Sequence, residues 1–278
     1  MARATLQKSI QDIRPAAHAG TLYPADPAFL SRVVDSYIAD GIKELDPPRS
    51  QEIPKAIIAP HGGYVYSGKI AGCAYGALRN YNVQRVVLIG PSHTLDFPGI
   101  AIPDSSVFVT PLGELRVDRE IMLQLERQQD VRCFEAAHYP EHSLEVQLPF
   151  IQRLFGSPMI VPLITGRMDA PRLSDLLESI WRGPETVFVI SSDLSAQHTG
   201  ETARRIDRNT VRAIQEFRHS AITIDQACGH RAIRAFLQLA ARREMRCHLV
   251  SLRTSSEPGA SKCTGYAAFH FYGGQFVG

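Results

Sequence analysis

Three apolar runs in this chain each stop on residues that carry chemistry. Residues 55–67 (KAIIAPHGGYVYS) break at Pro60-His61 and turn through Gly62-Gly63, and residues 85–93 (RVVLIGPSH) repeat the pattern and end on His93. Residues 186–193 (TVFVISSD) end on Ser191-Ser192-Asp193. Continuous Val/Ile/Leu runs without alternation mark strands buried on both faces of a sheet, and the residue just past the carboxyl end of such a strand lies at the crevice where ligands bind. On that geometry His61, His93 and Asp193 converge. Taken singly, each is equally a strand end that is polar because it surfaces.

Between these runs, apolar residues recur at helical spacing. Asp26-Pro27 opens a helix to about residue 41, with Leu30, Val33, Val34 and Ile38 on one face. A helix of small residues is predicted over about 69–79, and Asp118 caps one that runs to about 128. Residues 141–155 read as a helix interrupted or started near Pro149. Further helices are predicted over 170–181, over 201–217 and within 224–244, the last starting near Cys228-Gly229. Additional strands are expected at 97–103, 159–164, 246–252 and 265–272, and Thr110-Pro111-Leu112-Gly113 is turn chemistry. Residues 1–14 read as an arm with little packing of its own, and 44–52 as a surface connection. No Pro/Ser/Gly linker divides the rest. The expectation is one α/β domain over 15–278, a central mixed β-sheet flanked by helices.

Composition narrows the class. A hydrophobic fraction of 44% over 278 residues is enough for a large core. Lys+Arg and Asp+Glu nearly balance, for a net charge of +2, which gives no basic field for nucleic acid or an anionic membrane and favours a small-molecule, peptide or protein partner. No stretch approaches the roughly 20 apolar residues that span a bilayer, and the opening segment lacks a signal-peptide pattern. A soluble, cytoplasmic protein is expected. Five widely spaced cysteines without a CxxC argue against a disulfide framework or a structural zinc knot. The glycine-rich nucleotide-binding signatures and the G-x-S-x-G elbow are absent from the sequence.

Metal chemistry fits the remaining side chains. An imidazole held at a rigid strand end loses little rotamer entropy on coordination, which puts His61 and His93 first; the competing reading is a histidine that hydrogen-bonds across a turn. Cys228 precedes the helical pattern HRAIRAFLQLAARR, so its thiol meets the positive end of a helix dipole, which favours the ligating thiolate. The competing reading is a small buried apolar residue. His142 and Glu145 stand three apart and share a helix face, as in carboxylate-bridged metal sites, although a solvated helix start has the same spacing. Asp193 is placed to orient an imidazole or to cap the next turn, and His198 to act as a general base or to sit in a plain loop.

Several motifs together resemble the Memo family, known in bacteria and archaea as protein B of the AmmeMemoRadiSam system. They are HAGTLYP from His18, APHGGYVYSG from Ala59, GPSH to His93, TPLGELRVD from Thr110, EHSLEVQLPF from Glu141, SSDLS from Ser191 and GYAA from Gly265. The resemblance implies a single α/β domain similar to the class III extradiol, LigB-like, non-haem iron dioxygenases. It implies iron or copper held by His61, His93 and Cys228, with Asp193 and a following histidine in support. His18, Tyr64, His142 and Glu145 are expected behind the ligands or in the cleft. It also suggests an AMMECR1-domain protein and a radical-SAM protein as partners.

The sequence departs from the family pattern in two places. Position 196 is Ala where the family has a histidine, and His198 is the nearest imidazole; Gly63 replaces the usual alanine. A thiolate in the place of a carboxylate is softer and favours copper or zinc over the facial set of ring-cleaving iron enzymes. Redox or oxygen chemistry on an unknown substrate is therefore the leading expectation. A peptide-binding accessory module and an extradiol-type dioxygenase are the alternatives.

Overall fold

A computed structural model describes residues 12–45, 52–255 and 262–274. The chain opens with β1 (Ile13–Arg14), α1 (Pro27–Glu44), β2 (Ala56–Ala59), α2 (Tyr64–Gly76) and β3 (Arg85–Pro91). Next come β4 (Ile100–Ile102), β5 (Val107–Thr110), β6 (Gly113–Arg116), α3 (Arg119–Glu126) and β7 (Val131–Cys133). The middle holds α4 (Glu135–His138), α5 (His142–Glu145), α6 (Leu148–Phe155), β8 (Met159–Thr165) and α7 (Ala170–Ser179). It closes with β9 (Thr186–Ser191), α8 (Gly200–Gln215), α9 (His230–Arg242), β10 (Arg246–Thr254) and β11 (Gly265–Tyr272).

The main sheet has the order β10-β11-β2-β9-β3-β8-β4-β7. Its centre, β2, β9, β3 and β8, is parallel. Antiparallel neighbours flank that centre, β11 beside β2 and β4 beside β8. Every residue of β2 and β9 is buried, which is why these strands read as unbroken apolar runs rather than alternating ones. Since β2, β9 and β3 are adjacent, the three strand ends singled out by the sequence emerge side by side.

Helices flank this sheet. α1 and α2 pack together, with α2 against β2, β10 and β11, while α9 lies against α7, β3 and β9. The composition of α2 follows from its contact with α1: a methyl group added at Gly72 would strike the backbone carbonyl of Tyr37, so only glycine lets the two helices approach this closely. Caps set the starts that the sequence predicts. The Asp26 carboxylate accepts from Phe29 N at 2.7 Å, and Asp118 accepts from Ile121 N at 3.1 Å.

The structure shifts some expected boundaries and bears out others, among them the break near Pro149 and the turn at Thr110–Gly113. α2 starts at Tyr64, directly after the Gly62-Gly63 turn, because Tyr64 and Ser67 are buried parts of its first turns. Residues 141–155 form two helices, α5 and α6, with Pro149 in the first turn of the second. The turn at Thr110–Gly113 joins β5 to β6 in a second sheet of order β1-β5-β6. Of the expected arm, residues 1–11 lie outside the described residues, whereas Ile13 and Arg14 pair with Val107 and Phe108. Arg14 is only 1% exposed and belongs to the folded body.

Candidate metal centre

His61 follows Pro60 at the end of β2, and its backbone is held from the neighbouring strand. The Asp193 carboxylate, just past β9, accepts from His61 N at 2.7 Å and Gly62 N at 3.2 Å. Gly62 lies under the ring of Tyr266, where an added methyl group would sit 2.9 Å from the ring. His61 Nδ1 is 2.9 Å from the Ser191 hydroxyl, and its Nε2 is 3.2 Å from Cys228 Sγ.

His93 follows β3 and is held by a carboxylate the sequence reading did not single out. Glu141 accepts from His93 N at 2.7 Å through one oxygen and lies 2.9 Å from His93 Nδ1 through the other. The latter oxygen also accepts from Ser143 N at 2.8 Å, so Glu141 doubles as the N-cap of α5. Cys228 precedes the α9 N-cap, Gly229, whose N–H donates to Ser192 Oγ at 3.0 Å and so ties the helix start to the end of β9.

One ligand atom from each of His61, His93 and Cys228 lies within 4.8 Å of the other two. His93, Glu141 and His142 form a second group with the same spread. In that group Glu141 already engages His93 Nδ1, so it reads as support for the first. Three rings crowd the same spot, with His142 stacked on His93 at 4.6 Å between centroids and His61 edge-on to both, at 5.1 Å from His93 and 5.3 Å from His142.

Electrostatics sort these groups. Burial, then the neighbouring charges of His93 and His142, holds the His61 imidazole well below its ordinary range. Burial likewise brings His142 down to about 4. For His93 burial also opposes protonation, but hydrogen bonds to Cys228 and Glu141 and the Glu141 charge outweigh it and push the ring up to about 10. Burial of Glu141 is likewise outweighed, by hydrogen bonding to His93 and its charge, and the carboxyl falls to about 2. Burial raises Asp193 to about 6 against the two backbone N–H groups it accepts. A neutral imidazole, a second imidazole beside a thiol and a nearby anion suit a soft or borderline cation, which would take the place of the proton on His93.

The other predicted residues fall in different places. His18 is 5.7 Å from His142 between ring centroids, and its Nε2 is 3.0 Å from the Pro140 carbonyl. Tyr64 is buried and donates to the Val146 carbonyl at 2.7 Å. The Glu145 carboxylate accepts from Arg14, Ala17 N, His18 N and the Tyr23 hydroxyl, so His142 and Glu145 do not form a shared metal face. His198 lies between β9 and α8, and its carbonyl accepts from Cys263 N at 2.7 Å. Among the described residues its ring makes no hydrogen bond to His61, His93 or Cys228.

The fold and site thus define an α/β protein with an imidazole–thiol cluster at the carboxyl edge of a mixed sheet. A sequence profile described as Memo-like protein matches residues 14–270. A "MEMO1 family protein" of Desulfurococcus amylolyticus is 31% identical over 277 residues, 91% of this chain and 97% of its own. Another from Ignicoccus hospitalis is 37% identical over 66% of this chain and 68% of its own, and the "Protein memo-1 homolog" of Caenorhabditis elegans is 34% identical over 68% and 53%. The chain belongs to the Memo family. Its mixed α/β architecture is consistent with the Memo fold and with the expected likeness to LigB-like dioxygenases. No described helix is long and apolar enough to cross a membrane.

Proposed function

We propose that the protein holds an iron or copper ion on His61, His93 and Cys228 and carries out redox or oxygen-related chemistry on a small organic or peptide substrate. The observation behind this reading is the convergence of three ligand atoms from β2, β3 and the start of α9 within 4.8 Å. When bound, such an ion supplies electron exchange and Lewis acidity. The chain's own contribution is orientation and proton handling. Asp193, at about 6, exchanges a proton near neutral pH while its hydrogen bonds fix the His61 turn. That favours Asp193 over His198 as the acid–base group.

Metal content by mass spectrometry of anaerobically purified protein tests the reading. Near-stoichiometric iron or copper in the wild type, lost in His61→Ala and Cys228→Ser with unchanged circular dichroism, is the expected result. A wild type that takes up neither Fe(II) nor Cu(I) overturns it. Oxygen uptake with catechols separates ring cleavage from other oxygen chemistry.

A second reading, a peptide-binding module without turnover, draws on exposed apolar residues beside the cluster. Val65 and Tyr66 follow the His61 turn, and Leu95 follows His93. Peptide binding that survives Cys228→Ser supports that reading.

A further inference from the structure

The metal reading leaves open what makes the two imidazoles present the correct nitrogen. Each histidine has two ring nitrogens, and only the one without a proton binds a cation. The hydrogen-bond partners around His61 settle its choice. The Ser191 hydroxyl has one proton, which it gives to the Ser143 carbonyl at 2.6 Å, an atom that can only accept. The same oxygen accepts from Gln147 Nε2 at 2.9 Å. The Gln147 orientation is fixed because Nε2 also reaches the Pro60 carbonyl at 2.9 Å, while the Tyr75 hydroxyl donates to Oε1 at 3.1 Å. With its proton committed, Ser191 can only accept from His61. The proton of the neutral imidazole therefore sits on Nδ1, and Nε2, facing Cys228 at 3.2 Å, is bare.

His93 is treated in parallel. A Glu141 oxygen that accepts from Ser143 N also faces His93 Nδ1, and the other accepts from His93 N. Nδ1 again carries a proton. The two arrangements meet in one residue: Ser143 accepts from the Ser191 hydroxyl through its carbonyl and donates to Glu141 through its N–H, while its own hydroxyl donates to the Pro91 carbonyl at 3.0 Å. Ser143, Ser191 and Gln147 are each 0% exposed, so water does not compete for these bonds.

We infer that Glu141, Ser143, Gln147 and Ser191 form one hydrogen-bonded clamp that fixes both His61 and His93 with the proton on Nδ1, leaving Nε2 of each as the ligand atom. These are positioning residues that act through the two histidines, and the inference rests on the metal reading only for its purpose. The clamp joins the two ligands, so a change at Ser191 is felt at His93 through Ser143. Partners of this kind alter metal affinity about 10–100-fold.

Long-range proton–nitrogen NMR on metal-free protein with ¹⁵N-labelled histidine tests it without any metal. The expected spectrum shows His61 protonated at Nδ1 and bare at Nε2 in the wild type, a mixed tautomer in Ser191→Ala, and the wild-type pattern restored in Ser191→Thr. In Glu141→Gln one oxygen becomes an amide donor facing His93, and Cu(I) affinity is expected to fall about 10–100-fold. Competition with a chelator measures that affinity. A wild-type His61 protonated at Nε2 overturns the clamp, even if a variant fails to fold. So does unchanged Cu(I) affinity in both Ser191→Ala and Glu141→Gln, which leaves the metal reading standing. The expected tautomers with uptake of neither Cu(I) nor Fe(II) sink the metal reading and leave the clamp.

Discussion

Glu141 and Glu145 flank a single helical turn, both fully buried, and they do opposite work. Glu145 faces a permanent cation: Arg14 donates to it at 2.7 Å, and Ala17 N, His18 N and the Tyr23 hydroxyl complete its shell. Arg14 spends its other protons on the carbonyls of Pro15, His138, Tyr139 and Glu141. Glu141 faces His93, whose charge changes with protonation or coordination, plus two backbone N–H groups. The same side chain, four residues apart, holds the fold at one end of α5 and serves the site at the other. The difference lies in whether the counter-charge is fixed.

The sharpest test removes the fixed cation. Arg14→Met leaves Glu145 as a buried charge without a counter-ion and frees several buried carbonyls, for an expected loss of about 3–5 kcal/mol in urea unfolding. Glu141→Gln, whose cost falls mainly on the site, is expected to lose less than half as much. Equal losses would break the distinction between the two carboxylates.

A smaller change probes the same shell from another side. Tyr23→Phe deletes one donor to the Glu145 carboxylate, a hydrogen bond of 2.7 Å to a buried charge. Such bonds are worth about 1.5–3 kcal/mol, so the melting temperature should fall while Cu(I) affinity stays at the wild-type value. A drop in affinity would show that the fold-holding end of α5 also reaches the site.

Much of this arrangement is legible in the sequence, and the reason is burial. Parallel strands covered on both faces leave unbroken apolar runs, so β2, β3 and β9 and the polar residues at their ends stand out. Caps are equally local, as Asp26 and Asp118 show. What stays hidden depends on pairings far apart in the chain. Arg14 reads as part of an arm because no periodicity announces a buried guanidinium 131 residues from its carboxylate. The strand β7 has two exposed residues of three, and β6 three of four, so neither leaves an apolar signature. Glu141 lies within the motif EHSLEVQLPF, yet the i, i+3 rule points to Glu145, since spacing on a helix cannot show that the N-cap carboxylate faces a strand end. The loop to His198 passes through Gln197 at φ 65°, a left-handed turn the sequence did not signal, immediately before the imidazole.

Asp193 offers the finest contrast with Glu145, because the site carboxylate costs stability where the structural one supplies it. Burial raises the Asp193 carboxyl from the ordinary 3.8 to about 6. Between those values the unfolded chain has released the proton and the folded chain still holds it, so stability falls as pH rises through this window and stays lower above it. Asn has the same shape, and its side-chain oxygen can accept from His61 N and Gly62 N as the Asp193 oxygen does. Metal-free Asp193→Asn should therefore be more stable than the wild type by about 1–2 kcal/mol at pH 8, after allowance for partial solvent exposure. The gain should shrink as pH is lowered from about 6.5 to 5, read from urea unfolding at each pH. A gain that does not vary with pH, or a loss at pH 8, would mean that the Asp193 charge is as well compensated as that of Glu145, and the two regions would then differ in position alone.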